Sequence, residues 1–197
     1  MLIGLYFGSF NPVHNGHLII ANHIVNSGVA DEVWFVVSPQ NPFKNAATLL
    51  NQNHRLNLVK LAIEGEPQLK ASNIEFKLPT PSYTINTLTY LQEKYPTKEF
   101  AVVMGSDGFQ NISKWKNAEV ILANYSIIIY KRPGFEVDHS QPGKLHILEA
   151  PLLEISSTHI RKLIREKKSI RYLVPDSVKK EIEMQNYYAT SLENPTQ

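Results

Sequence analysis

Short continuous apolar blocks alternate along the chain with stretches in which apolar residues keep helical spacing. Leu2–Phe7 runs up to Gly8, Val33–Val37 up to a polar stretch, Phe100–Met104 up to Gly105, and Ser126–Tyr130 up to Lys131-Arg132-Pro133-Gly134. Blocks of this length, unbroken by polar residues, read as strands covered on both faces. Ile74–Leu78 and Leu145–Leu148 predict two further short strands. Leu18, Ala21 and Val25, with Ile20 and Ile24, fall on one helical face, and Gly28 supplies the stop. Leu56, Val59 and Ile63, with Leu58 and Ala62, make a second helix closed by Gly65. Ser82 is placed to cap a third, with Ile85, Leu88 and Leu91 on its apolar side. A short helix is expected over Trp115–Leu122, and two more begin near Ser157 and Pro175. Residues 38–53, polar and containing Pro39 and Pro42, predict a long loop of the kind that is often functional.

This alternation argues for an α/β, doubly wound parallel sheet with helices on both faces. We expect a single domain over residues 1–188 and a frayed polar tail over 189–197, without repeats or linkers. Ligands of such sheets bind beyond the carboxyl ends of the strands. Chemistry is therefore expected just after Phe7, Val37 and Met104.

Composition narrows the classes. A 43% hydrophobic content over 197 residues excludes intrinsic disorder. Lys+Arg (20) nearly balance Asp+Glu (18), so nothing resembles the basic stripe of a nucleic-acid binder. The pI of about 8.7 is at most a slight lean toward anionic ligands. The sequence has no Cys, which excludes disulfides, thiol catalysis and thiolate metal sites and fits a reducing compartment. No apolar run approaches the roughly 18 residues of a membrane span. The N-terminus lacks the basic start of a signal peptide. A cytoplasmic protein without membrane or nucleic-acid partners is expected, with a homo-oligomer left open.

Two segments carry candidate chemistry. The first is Gly8-Ser9-Phe10-Asn11-Pro12-Val13-His14-Asn15-Gly16-His17, directly after the first strand. Helix-start amides suit phosphate. His14 and His17, three residues apart, can project from one turn toward the same anion and donate to its oxygens. On spacing alone, a plain strand–turn–helix with two surface histidines stands equal to that reading. Zinc is disfavoured, because it wants three or four protein ligands. The second segment is Ile155-Ser156-Ser157-Thr158-His159-Ile160-Arg161. Ser156 and Ser157 are good caps, and Arg161 lies one turn in, on the side that looks back at the helix start. By itself this reads as an ordinary cap with a solvated arginine.

Both segments resemble signatures of the nucleotidyltransferase superfamily. The first completes its pattern G-[ST]-F-x-P-x-H-x-G-H, and the second matches I-S-S-T-x-I-R. The resemblance implies a Rossmann-like fold. It also implies that His14 and His17 bind the nucleoside triphosphate and stabilise the pentacovalent transition state. Gly8, Ser9 and Phe10 would sit against the same ATP, with Ser156, Ser157 and Arg161 on its other side. Gly105-Ser106-Asp107 resembles the family's G-x-D, so that Gly105 and Asp107 would hold the adenosine ribose.

Three further stretches, Pro81-Ser82-Tyr83-Thr84, Lys114-Trp115-Lys116 and Lys131-Arg132-Pro133-Gly134, resemble the branch of bacterial nicotinate-nucleotide adenylyltransferases. That resemblance implies that Tyr83, Thr84, Trp115, Lys116 and Arg132 bind the substrate. Trp115 would stack on the pyridine ring, Thr84 and amides such as that of Lys116 would hold its carboxylate, and Arg132 would reach its phosphate. It implies adenylyl transfer from ATP to nicotinate mononucleotide by direct in-line displacement, in NAD biosynthesis. Mg²⁺ would be held mainly by the ATP phosphates, with no dedicated protein metal site. Pantetheine-phosphate adenylyltransferases, which lack the Ser82-Tyr83-Thr84 and Trp115 elements, cytidylyltransferases and a non-catalytic nucleotide sensor are the competing readings. The chain departs from the pattern at Phe7 and Asn11, where Gly and Asp are frequent, and at Phe43, where P-P-H-[KR] has His. Lys44 remains as a phosphate ligand.

Overall fold

The computed structural model describes residues 1–40, 49–138, 141–151 and 153–189. Its centre is a six-stranded sheet in which all pairings between neighbours are parallel. The strands are β1 (Leu2–Gly8), β2 (Glu32–Val37), β3 (Leu69–Ser72), β4 (Glu99–Gly105), β5 (Ser126–Tyr130) and β6 (Leu145–Leu148), in the order β3-β2-β1-β4-β5-β6. The helices are α1 (Asn15–Asn26), α2 (Gln52–Ala62), α3 (Thr84–Lys94), α4 (Ser106–Phe109), α5 (Ala118–Asn124), α6 (Ser157–Arg165) and α7 (Asp176–Met184).

Side chains of a strand alternate between faces, so a strand covered on both sides must be apolar throughout. Ile3 and Leu5 of β1, Val102 and Met104 of β4, and Ile127 and Ile129 of β5 join Leu88 and Leu91 of α3 and Ile121 of α5 on one face. Tyr6, Val33, Phe35, Val103 and Ile128 join Ile24 of α1, Val59 of α2, Ile160 of α6 and Val178 of α7 on the other. The expected doubly wound sheet is thus observed. The chain moves outward from β1 to β3, crosses back through α3 to β4, and then moves outward the other way. Helices leave β1 and β4 on opposite faces, which opens a crevice between their carboxyl ends.

Three expectations fail locally. Residues Ile74–Lys77 form a 3-10 turn, and the edge strand is Leu69–Ser72. An edge strand needs a ladder on one side alone, and β3 carries Lys70, which pairs with Glu32 at 2.5 Å, so it shows no apolar block. The helix expected over Trp115–Leu122 starts at Ala118. Trp115 instead closes a 3-10 turn, and Asn117, with φ of 54°, breaks the path between them. The cap of α3 is Tyr83, not Ser82. The polar tail expected over 189–197 lies almost wholly outside the described residues. No helix among the described residues is long and apolar enough to cross a membrane.

One carboxyl group is buried beside the start of α3. Glu75 is 1% exposed, and its Oε1 accepts from Thr87 Oγ1 at 2.8 Å. Burial raises its pKa, against hydrogen bonds from Thr87, Ser38 and Ser82 that lower it. A carboxyl raised in the folded state stabilises the protein at low pH and loses that contribution as pH rises through the folded value. Glu75→Gln is therefore expected to melt above the parent at pH 8, with the difference closing toward pH 4 in thermal denaturation. A variant that melts below the parent at pH 8 would show that the ionised carboxylate is the stabilising form.

Candidate active site

The chain leaves β1 at Gly8 and turns through Ser9, Phe10, Asn11 and Pro12, all four buried, before α1 begins. Phe10 has φ of 45°, a left-handed conformation that non-glycine residues adopt at a cost. Its ring is held edge-on or tilted against Tyr6, His17 and Phe35, with centroids 5.8, 5.1 and 5.3 Å apart. A Cβ on Gly8 would lie 2.7 Å from this ring. Gly8 is therefore required by Phe10 folding back over the strand end.

His14 is the N-cap of α1 and is 5% exposed. It stacks on His17 with centroids 3.7 Å apart and planes at 25°. Gly16 makes room for it, since a Cβ there would come within 3.2 Å of the His14 ring. The backbone N–H of His14 donates to His17 Nδ1 at 3.2 Å, so a neutral His17 carries its proton on Nε2. Burial, and secondarily the nearby Arg132 cation, lower the pKa of His14 to about 4. His14 is thus neutral at pH 7. Both rings can donate one N–H each into the space they border, without bringing a full charge.

The second segment meets the first directly. Ser156 caps α6 by accepting from the His159 N–H at 3.2 Å. Ser157 Oγ donates to the Pro12 carbonyl, and Arg161 Nη1 to the Asn11 carbonyl, both at 2.8 Å and across 145 and 150 residues. Between the segments lies a cleft of about 1020 Å³, bordered by Ser9, His14, His17, Ser156, Ser157 and Arg161, with Tyr6, Tyr130 and Arg132 across from them. The N-termini of α1 and α6 both open on it and bring their partial positive charge to it. Ser9 Oγ and His14 Nδ1 are buried and lack hydrogen-bond partners among the described residues. Buried polar atoms in that condition suit a polar ligand.

Arg132 stands in the same cleft. Its Nε lies 3.4 Å from Asp107 Oδ1, its Nη2 3.4 Å from Tyr130 Oη, and its backbone N–H donates to Ser106 Oγ at 2.9 Å. With both partners more than a third exposed, the Arg132–Asp107 pair contributes at most about 1 kcal/mol. Gly105 leaves room for this cluster, since a Cβ there would displace the Asp107 carboxylate and crowd Arg132 Nε and the Tyr130 ring. The structure therefore groups Arg132 with the histidines and Asp107. Tyr83, Thr84, Trp115 and Lys116 form a second group, away from the cleft lining. Tyr83 caps α3, Thr84 is its first residue, and the Lys116 ammonium sits 4.7 Å from the Tyr83 ring centroid. Trp115 packs half-buried against the same core as Tyr83. Lys44 and Phe43 lie outside the described residues.

Sequence reasoning missed Arg55 and the Tyr6–Tyr130 pair. Arg55 is 1% exposed. It precedes Leu58, Val59 and Ala62 by three, four and seven positions, so helical spacing places it on the buried stripe. Tyr6 and Tyr130 bring their hydroxyls within 3.4 Å at the cleft wall, and burial raises the Tyr6 pKa well above its ordinary value.

Comparison with known proteins covers most of the chain. The profile of the family described as cytidylyltransferase-like matches residues 5–163. A protein of Flavobacterium psychrophilum named "Probable nicotinate-nucleotide adenylyltransferase" is 51% identical over 191 residues, covering 95% of this chain and 99% of its own length. One of the same name from Flavobacterium johnsoniae is 49% identical over 191 residues, with coverage of 95% and 99%. The solved structure of Plasmodium falciparum nicotinic acid mononucleotide adenylyltransferase complexed with NaAD superposes with a TM-score of 0.83 at 24% identity, covering 98% of this chain and 99% of that one. At that identity the likeness is one of fold.

The neutral state of His14 has a thermodynamic consequence. Its pKa is about 4 in the folded protein against about 6.5 when unfolded, so between those values the unfolded chain binds the extra proton and stability falls as pH drops. From pH 7 to pH 4 the parent should lose about 2–3 kcal/mol that His14→Gln does not lose, as measured by urea unfolding at each pH. Equal losses in the two proteins would show that the His14 ring is already protonated in the native state.

Proposed function

We infer the activity from what the chain is: it belongs to the cytidylyltransferase-like family and, within it, to the nicotinate-nucleotide adenylyltransferases. The enzyme transfers the adenylyl group of ATP to nicotinate mononucleotide, giving deamido-NAD and pyrophosphate in NAD synthesis. The observation that carries this reading onto the molecule is the direct contact of Ser157 and Arg161 with the turn after β1, around one cleft bordered by two helix N-termini.

In this reading the cleft takes the ATP polyphosphate. An oxygen of the mononucleotide phosphate attacks the α-phosphorus, a new P–O bond forms, and the α–β bridging bond breaks on the opposite side. Pyrophosphate leaves with the electron pair. The attacking oxygen is already anionic at neutral pH, so no general base is needed. Catalysis then rests on positioning and on charge stabilisation. His14 and His17 serve as neutral N–H donors to phosphoryl oxygens, with Lys44, Ser157, Arg161 and helix-start amides around them. Gly8, Ser9, Phe10 and Ser156 shape the walls against ATP, and Gly105 and Asp107 take the ribose. Tyr83, Thr84, Trp115 and Lys116 hold the nicotinate end of the acceptor. The placement of Arg132 beside His14 supports a role on the phosphates between the two nucleotides.

Among the described residues, no group of three or more His, Asp or Glu is placed to hold a metal ion, and the donors of the cleft suit phosphate oxygens. A divalent cation, Mg²⁺ in this reading, fits as a companion of the ATP phosphates whose charge it neutralises. We take residues 1–188 as the catalytic unit and place the reaction in the cytoplasm, where ATP is supplied.

A panel of acceptors with ATP and CTP, followed by pyrophosphate release, tests the assignment. Nicotinate mononucleotide with ATP should give the fastest release, well above the amide form. Release with CTP and a phosphorylated alcohol, or ATP binding with no release, would replace it by a cytidylyltransferase or a sensor. His17→Ala should lower kcat by about 10²–10³ with the fold intact by circular dichroism, since each transition-state donor is typically worth that much. Near-parent turnover would take the ring out of the mechanism. Trp115→Ala should raise the acceptor KM by about 3–10-fold through lost stacking and leave the KM for ATP unchanged. An unmoved acceptor KM would count against that pocket.

A further inference from the structure

Arg55 sits under the floor of the active site, with its guanidinium inside the protein. Nε donates to the Leu50 carbonyl at 2.8 Å, Nη1 to the Ser9 carbonyl at 2.6 Å and the Ser38 carbonyl at 2.8 Å, and Nη2 to the Pro39 carbonyl at 3.1 Å. No carboxylate pairs with it among the ion pairs of the described residues. Burying an unpaired cation is unfavourable, and an apolar side chain of similar volume would fill the space at lower cost. A purely space-filling role therefore leaves the arginine unexplained.

We infer that Arg55 is the positioning residue of the ATP site, holding the turn after β1 and the chain on either side of residues 41–48 in one fixed arrangement through four backbone carbonyls. The planar fork of guanidinium donors is suited to this, because its N–H directions are mutually fixed. The C=O and N–H of a trans peptide point in opposite directions. Drawing the Ser9 carbonyl onto Arg55 thus turns the Phe10 N–H away from the guanidinium, in a stretch that lines the cleft. The same turn accepts a second tie, from the Leu50 N–H to Asn11 Oδ1 at 3.1 Å. Ser38, Pro39 and Leu50 are thereby tied to the turn after β1 through one side chain. The buried cation also adds positive potential behind a site for polyphosphate, unshielded by a partner.

This inference rests on the reading of the cleft as the ATP site, and the test separates the two. ATP binding to the parent, Arg55→Lys and Arg55→Met is measured by titration calorimetry without acceptor. It is accompanied by kcat, KM for each substrate, and melting temperature. Arg55→Met should raise the Kd and KM for ATP at least tenfold. Arg55→Lys, which keeps the charge but not the fork, should raise them about three- to fivefold, recovering part of the loss. A role limited to stability would lower both melting temperatures and leave the ATP constants of the folded protein at the parent values, and that result overturns the inference. If Arg55→Met does not fold, Arg55→Lys decides: a parent-like Kd overturns the proposal and a raised one supports it. A parent that binds no ATP overturns the functional reading and this inference with it.

Discussion

Two hydrogen bonds, from Ser157 to the Pro12 carbonyl and from Arg161 to the Asn11 carbonyl, hold the site together. They join the turn after the first strand to the start of the penultimate helix, and the residues they link are 145 and 150 positions apart. A helix N-terminus alone is a modest anion site, since its partial charge acts over one turn. Two of them bordering one cleft bring their partial charges to the same space. The sheet makes the meeting feasible. With β1 at its centre and α1 and α6 packed on the same face, the two helix starts emerge side by side at the carboxyl edge.

The convergence has an electrostatic cost that shows in His14. Its pKa is held near 4 by burial and by the Arg132 cation of the same cleft, so the ring stays neutral at pH 7. Donors gathered around one cleft repel further positive charge there. The site limits the repulsion by using neutral imidazole N–H groups, hydroxyls and amides close in, with the Arg132 guanidinium partly compensated by Asp107. Donors fixed in this way need little reorganisation as charge moves onto the departing phosphate, which is where such sites gain their rate.

Much of this was legible in the amino-acid order. Four continuous apolar blocks could be strands covered on both faces, and they are, because each alternates its side chains between two cores. The Gly8–His17 and Ser156–Arg161 segments stood out through their resemblance to family signatures, since spacing alone left the first even with a plain strand–turn–helix and the second an ordinary cap. Their meeting was implied by that resemblance, which sets both on one ATP, while the hydrogen bonds that make it run to backbone carbonyls that carry no residue signature. The edge strand β3 escaped because pairing along one side demands no apolar run, and Leu69–Ser72 has Lys70 in it. Ser82 looked like a cap by type, yet the backbone enters α3 one residue later, at Tyr83. Arg55 escaped for a different reason: charged side chains are read as solvated by default, although its spacing to Leu58, Val59 and Ala62 put it on the buried stripe.

The glycines of the first segment show how such a signature comes to be so restrictive. Gly8 yields to the Phe10 ring, where a Cβ would clash, and Gly16 leaves the His14 ring room that a Cβ would crowd, so each answers to a neighbour inside the same ten residues. Phe10 in turn can hold a left-handed backbone because Tyr6, Phe35 and His17 surround its ring. A change at any one of these positions displaces another before it touches a ligand. The segment is better understood as a small interlocked core whose outer surface lines the cleft. Its residue types are fixed as much by that packing as by the chemistry carried on the surface.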